Sequence, residues 1–540
     1  MEEAYGATLG RIKAQGGEKA RLGMAALMWI SHAERPLKVG ELCNALGVEI
    51  GSPDLDSNNV PSIGTLLSCC QGLVAVGEEG STVRLIHFTL QEYLRAHPEL
   101  FGTTHSTMAE TCLSYLNSNQ VKALSAGVFS GPWGIPSAGG YPLHLDTRYL
   151  DHYILYPDTP FVEDPAFEVS HPYSDTPFLE YSSLYWGMHA KRELSDRTKQ
   201  LSLRLFNDYS NHISTKVLLS ADELFSISVN PYEPSLFSGL HCASFFGIVE
   251  ILADMLEVGG YDINQIDCTS STSLHWAAFN GHDEAVEILL GRDDISPDKL
   301  GTQGRTPLWW AASNGHEGVV KMLLGRDDVT PNKSDYTRET PLYAAAFNRH
   351  EEVVKVLLGR GDVDPEKSNM YGQTPLWDAA RNGQEGVLRI LLEQDDVNPN
   401  QQGDRGQTPL CIAAENGRAG VVEVLLERHD VNPDIPDEGG RTPLWWAAWN
   451  GHGGVVKTLL GRGDVNPNKQ DTGGQTPLSI AAENGRAGVV ETLLERHDIN
   501  PSEPDARGRT PLSWAAMEGH EGVVKLLLRW GDVGPDKQII

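Results

Sequence analysis

The chain has 540 residues and a formal charge of −30, with 73 acidic against 43 basic side chains. A surface of that sign repels phosphate backbones and argues against nucleic acid as a partner. The length exceeds what one core can hold, so several domains are expected.

The most apolar run, residues 23–30, is too short to span a bilayer, and no signal peptide opens the chain, so no membrane partner is expected. Seven scattered cysteines form no CxxC pair and read as reduced, buried side chains of a soluble cytoplasmic protein.

In chain order, apolar periodicity predicts helices over 21–31, 39–46 and 63–70. Strands over 73–76 and 82–86 flank Gly77-Glu78-Glu79-Gly80 as a hairpin, and a last helix covers 89–94. Three helices and a hairpin describe a winged-helix-like domain over 1–100. No Lys or Arg lies between Lys38 and Arg84, whereas Glu41, Glu49, Asp54, Asp56, Glu78 and Glu79 do. Because phosphate contacts dominate DNA affinity, a DNA-reading role is not expected. Asp54-Leu55-Asp56 opens like a calcium loop, but Asn59 stands where that loop needs Gly and Thr65 where it needs Glu, so it reads as a polar loop.

Residues 101–237 form a helical connecting region interrupted by a Pro- and aromatic-rich stretch, 128–177, expected to pack against its neighbours. Helices over 178–192 and 198–207 are expected to cap the first unit of the segment that begins near 238.

From about residue 238 the chain repeats itself. Thr stands at 272, 306, 340, 374, 408, 442, 476 and 510, a period of 34, with Ser238 opening a diverged earlier copy. A fixed period of this length marks a solenoid. Thr306 is suited to cap a helix, and Pro307 to its first position. Ala311 and Ala312 permit close approach of a second helix, and Gly315 supplies the positive φ that ends the first. Val319, Val320, Leu323 and Leu324 form an apolar stripe on that second helix. Asp327, Pro331 and Asn332 open a turn-rich finger.

Residues 407–430 and 475–498 differ at two of 24 positions, Cys411/Ser479 and Val424/Thr492, as a duplicated two-repeat block would. Asp378 stands where other full copies carry an apolar residue, so its copy is expected to be less stable. His in Gly-His at 282, 316, 452 and 520 reads as a structural turn residue, because these positions lie on separate units and not around one metal ion.

These motifs (Thr-Pro-Leu, Ala-Ala, Gly-His, Val-Val-x-x-Leu-Leu) resemble the ankyrin repeat over 238–540, with about nine copies. The fold class expected is mainly α: an ankyrin-repeat solenoid preceded by a winged-helix-like domain and a helical connecting region. The resemblance implies a protein partner on the concave face, met by the residue after Ala-Ala. Here that residue is Phe279, Ser313, Phe347, Arg381, Glu415, Trp449, Glu483 or Met517, variable on a constant frame.

Residues 84–94, Arg-Leu-Ile-His-Phe-Thr-Leu-Gln-Glu-Tyr-Leu, resemble the winged-helix end of fungal NACHT-type (STAND) NTPases that carry ankyrin arrays, and the likeness continues over 105–121 and 177–219. It implies that His87 contacts a nucleotide diphosphate. No GxxxxGK[ST] phosphate loop occurs, so a structural hydrogen bond at a strand–helix junction is the favoured role of His87.

The chain resembles the back half of such a protein, as a natural derivative or an incomplete gene model, with an NTPase module upstream or acting in trans. No catalytic set stands on a recognisable frame, so neither enzyme activity, cofactor nor metal is expected. The reading is a non-enzymatic interaction scaffold; the alternative is the sensor half of a STAND-type nucleotide-dependent switch.

Overall fold

The computed structural model describes residues 2–77, 81–127, 176–221 and 236–530. The hairpin tip at 78–80, the tail from 531 and nearly all of the 128–177 segment, including its expected packing, lie outside the described residues. The chain divides into two compact units, Met1–Val258 with Asp267–Thr269 and Gly259–Ile266 with Ser270–Ile540. The helices of the diverged first copy, Gly239–Phe246 and Val249–Val258, therefore group with the N-terminal unit.

That unit opens with α1 (Glu2–Ala14), α2 (Gly17–His32), β1 (Leu37–Lys38), α3 (Val39–Gly47), α4 (Ile63–Cys69), β2 (Val74–Val76), β3 (Thr82–Leu85) and α5 (Phe88–Ala96). The strands form one antiparallel sheet in the order β1-β3-β2, with Leu37 opposite Val83 and Val76 opposite Val83. This is the winged helix that periodicity predicts. Helix α2 buries Leu22, Ala26, Leu27 and Trp29. A Cβ on Gly23 would sit 2.8 Å from the Cys69 carbonyl oxygen, so only glycine lets α2 and α4 approach this closely.

Glu41 is not the surface charge its place in the sequence suggests. It is fully buried, accepts both guanidinium ends of Arg35 at 2.8 and 2.7 Å, and caps α3 by accepting the Lys38 N–H at 2.8 Å.

Helices α6 (Thr104–Leu116), α7 (Asn119–Gly127), α8 (Leu179–Arg192), α9 (Asp196–Phe206) and α10 (Ile213–Ala221) complete the connecting region. Trp29 meets Phe178 and Tyr181 edge-on at 5.6 and 5.9 Å, joining the winged helix to α8. Between α6 and α8, the Nδ1 atoms of His105 and His189 stand 2.9 Å apart, and the Tyr181 hydroxyl bonds His189 Nε2 at 3.0 Å. Burial, then the charges of His105, Arg192 and His32, push His189 down to about 3.

In the second unit each repeat is a helix–turn–helix with a finger. Thr306, Thr340, Thr374 and Thr442 cap their helices by accepting the N–H three residues on, at 3.1 to 3.2 Å, and Pro fills the first helical position each time. Gly315 has φ 78°, as the turn requires, and a Cβ there would fall 2.5 Å from the His350 ring of the next repeat. Arg349 holds the same place at φ 65° without glycine's freedom.

Val319, Val320 and Leu323 are buried, whereas Leu324 is only half-buried, so the stripe is narrower than its sequence suggests. Each buried Val or Leu contributes roughly 1.5–3 kcal/mol. Neighbouring repeats supply much of that burial, which is why the units stack.

The last repeat departs from this burial. Leu528 is 52% exposed where its counterpart Leu460 is 8%, and Ala516 is exposed where Ala448 is fully buried. Local opening is easiest where apolar burial is least. Amides of 510–530 are therefore expected to exchange with deuterium faster than those of 442–462. Equal protection in a demonstrated monomer would refute this.

Candidate partner-binding face

The residues that follow Ala-Ala lie at or one residue before the end of the first helix of each repeat, and one recurring bond fixes their backbones. The turn residue of the next repeat reaches back to the carbonyl of this position. His316 Nε2–H donates to Phe279 at 2.9 Å, His350 to Ser313 at 3.0 Å, His452 to Glu415 at 3.1 Å and His520 to Glu483 at 2.9 Å. Gln384 does the same to Phe347 at 2.9 Å, Arg418 to Arg381 at 3.2 Å and Arg486 to Trp449 at 3.0 Å. A carbonyl only accepts, so each of these histidines carries its proton on Nε2. The Gly-His histidines His316, His452 and His520 thus join repeats. Among the described residues no group of three or more His, Cys, Asp or Glu stands placed to hold a metal ion.

The side chains at the eight positions differ in what they offer. Phe347, Arg381 and Met517 are exposed, and Phe279, Glu415, Trp449 and Glu483 are half-exposed. Ser313 is buried, and its Oγ accepts the Asn348 amide at 3.0 Å, so it presents no side chain to a partner. A short hydroxyl at a helix end folds back on neighbouring donors, which the sequence pattern alone does not reveal. Trp449 stacks on Trp446 at 5.3 Å, and Glu415 accepts from Gln407, so both are partly engaged within their own repeat.

A second file of side chains precedes each Thr cap and escaped the sequence reading. Arg305 lies 3.8 Å from the Trp309 ring centroid, Arg441 4.3 Å from Trp446 and Arg509 3.7 Å from Trp514. The clue was available: this position reads Arg305, Glu339, Gln373, Gln407, Arg441, Gln475 and Arg509, as variable as the eight residues chosen.

In the winged helix, His87 caps α5. Its Nδ1 accepts the Thr89 N–H at 3.2 Å and stands 2.8 Å from the Thr89 hydroxyl, and its ring stacks on Phe88 at 4.9 Å. Ile86, His87 and Phe88 are all exposed.

A family model for ankyrin repeats matches residues 240–335, 328–403, 396–471 and 454–539, together more than half of the chain. The chain belongs to the ankyrin-repeat family. Its ankyrin array is preceded by a second match over 11–104, to the winged helix domain of GPI inositol-deacylase. No curated protein matches the chain. No helix among the described residues is long and apolar enough to cross a membrane.

The bond between ankyrin repeats gives a direct test. His350→Ala removes the donor to the Ser313 carbonyl and should cost about 1–2 kcal/mol in urea unfolding. His350→Gln, which copies Gln384, should recover most of that loss. An alanine variant as stable as the parent would remove this bond from the account.

Proposed function

We propose that the chain is a non-enzymatic scaffold that binds a protein partner through the concave face of its ankyrin array. The observation that carries this reading is variation on a fixed frame. The same inter-repeat bond holds the backbone after Ala-Ala in copy after copy, while the side chain changes from Phe to Arg, Glu and Trp. Large aromatic and Arg side chains dominate binding energy where partners meet. Phe279, Phe347, Arg381 and Trp449 are the anchors this predicts, with Glu415, Glu483 and Met517 setting selectivity.

The thiols of Cys43, Cys69, Cys70, Cys112, Cys242 and Cys411 form no disulfide among the described residues, which supports a reducing, cytoplasmic setting. With the full chain as bait and the captured protein then purified, Phe347→Ala combined with Trp449→Ala should weaken binding at least about tenfold. Unchanged affinity in a folded variant would refute the assignment.

A second reading rests on the winged helix. The exposed Ile86-His87-Phe88 tip fits the sensor half of a fungal NACHT-type switch whose NTPase module lies upstream or acts in trans. On that reading the chain alone neither hydrolyses ATP nor holds ADP, because His87 supplements a phosphate cradle that these residues do not contain. Calorimetry with ATP and ADP should give no tight binding. Tight binding that disappears in His87→Ala would instead make His87 a nucleotide contact of the chain itself.

A further inference from the structure

Arg–Trp pairs cover the file before Thr306, Thr442 and Thr510, but not in the three repeats between Thr306 and Thr442. In the repeat opened by Thr340 the residue before the cap is Glu339, and Ala344 stands where the preceding repeat has Trp310. The next repeat places Asp378 at the position of that Trp. Asp378 is 2% exposed, and its Oδ2 has no hydrogen-bond partner among the described residues. A buried carboxyl oxygen left unpaired costs stability, so its retention calls for a reason.

Glu339, one repeat earlier, is half-buried, and the Asp378 charge reaches it. Burial first, then the charges of Asp335 and Asp378, push Glu339 up to about 7 against the pull of Arg305. Burial likewise pushes Asp378 up to about 7, opposed by Arg381.

The two repeats that carry Glu339 and Asp378 also expose several large apolar side chains. Tyr336 (76% exposed), Met370 and Tyr371 stand on two successive fingers, and Phe347 ends the helix Pro341–Phe347. At ~1.5 Å per residue that helix spans ~10 Å, the scale of a few partner side chains. Among the described residues from 372 to 516, no large apolar side chain is comparably exposed. The patch is therefore local, and it falls in the same two repeats as Glu339 and Asp378.

We propose that Glu339 and Asp378 form a socket for a basic side chain of a protein partner, with Tyr336, Phe347 and Tyr371 packing on the apolar residues beside it. The proposal rests on the concave-face reading and adds the chemistry of what is bound. The Lys or Arg enters as a cation, the carboxyl proton passes to solvent, and an ion pair forms with carboxyls that make none among the described residues. The net charge of −30 attracts a basic partner over longer range. Because both carboxyls titrate near neutrality, the partner should bind more tightly as pH rises through that range, with a proton released on binding.

The test selects random linear peptides on phage against the full chain and resynthesises those enriched. Their binding is measured by calorimetry to the parent, to Asp378→Asn with Glu339→Gln, and to Phe347→Ala with Tyr371→Ala. Glu339→Gln alone serves if the double carboxyl variant loses its helical circular dichroism.

Enriched peptides should carry a Lys or Arg beside apolar residues, and replacing an Arg by neutral, isosteric citrulline should weaken binding at least about tenfold. The carboxyl variant should weaken it similarly and abolish the pH dependence. Peptides without a basic residue, or binding indifferent to citrulline and to the carboxyl variant, would overturn the proposal. If Phe347→Ala with Tyr371→Ala still destroys such binding, the concave face stands without a basic anchor. Indifference to both variants removes the face as well.

Discussion

Everything in the array depends on a side chain reaching backwards across a repeat boundary. His316, His350, Gln384, Arg418, His452, Arg486 and His520 each donate to the carbonyl that follows Ala-Ala in the repeat before. Just past the second helices Arg326, Arg360, Arg428 and Arg496 reach back in the same way to the carbonyls of Leu290, Leu324, Leu392 and Leu460. These bonds satisfy helix-end carbonyls that would otherwise be orphaned. They also set the rotation between neighbours, so every first helix presents the same face. The donor varies between His, Gln and Arg because only an N–H at the right reach is required.

That arrangement separates two sets of constraints along one sequence. Thr, Pro, Leu, Ala and Gly build the frame and admit little change: a Cβ on Gly315 would strike His350, and one on Gly383 would fall 2.9 Å from the Arg418 side chain. The residues after Ala-Ala and before Thr vary from copy to copy, and several pack within their own repeat without fixing the turn, as Trp449 does on Trp446 and Arg305 on Trp309. The near-identity of 407–430 and 475–498 shows that whole repeats can be copied without disturbing the frame. Stability in such an array is a sum over repeats and their neighbours, so one repeat can carry a costly buried carboxyl such as Asp378.

The frame was legible in the sequence because its causes are local. A Thr cap, a Pro at the first helical turn and a Gly with positive φ act within a few residues, and a period of 34 multiplies the signal. The winged helix was legible for a related reason, since its helices carry apolar stripes. Helix α1 was missed because Gly6 and Gly10 dilute its pattern, and β1 because two residues carry no periodicity. What depends on partners distant in sequence was hidden. Glu41 looked like surface charge until Arg35 closed on it, and Ser313 looked like a contact residue until Asn348 reached its hydroxyl. The reach of the Asp378 charge to Glu339 crosses a repeat boundary, so neither residue announces it alone.

The central claim is that the first helices and fingers, not the second helices, face the partner. Site-specific photocrosslinking in cells tests it even with the partner unidentified. A photoreactive amino acid is placed at 347, 381 or 449 in one set of chains, and at the exposed second-helix positions Lys355, Arg389 or Lys457 in another. The account predicts one discrete crosslinked species from the first set and none from the second. Crosslinks to the same species from the second-helix positions, with none from the first set, would contradict it.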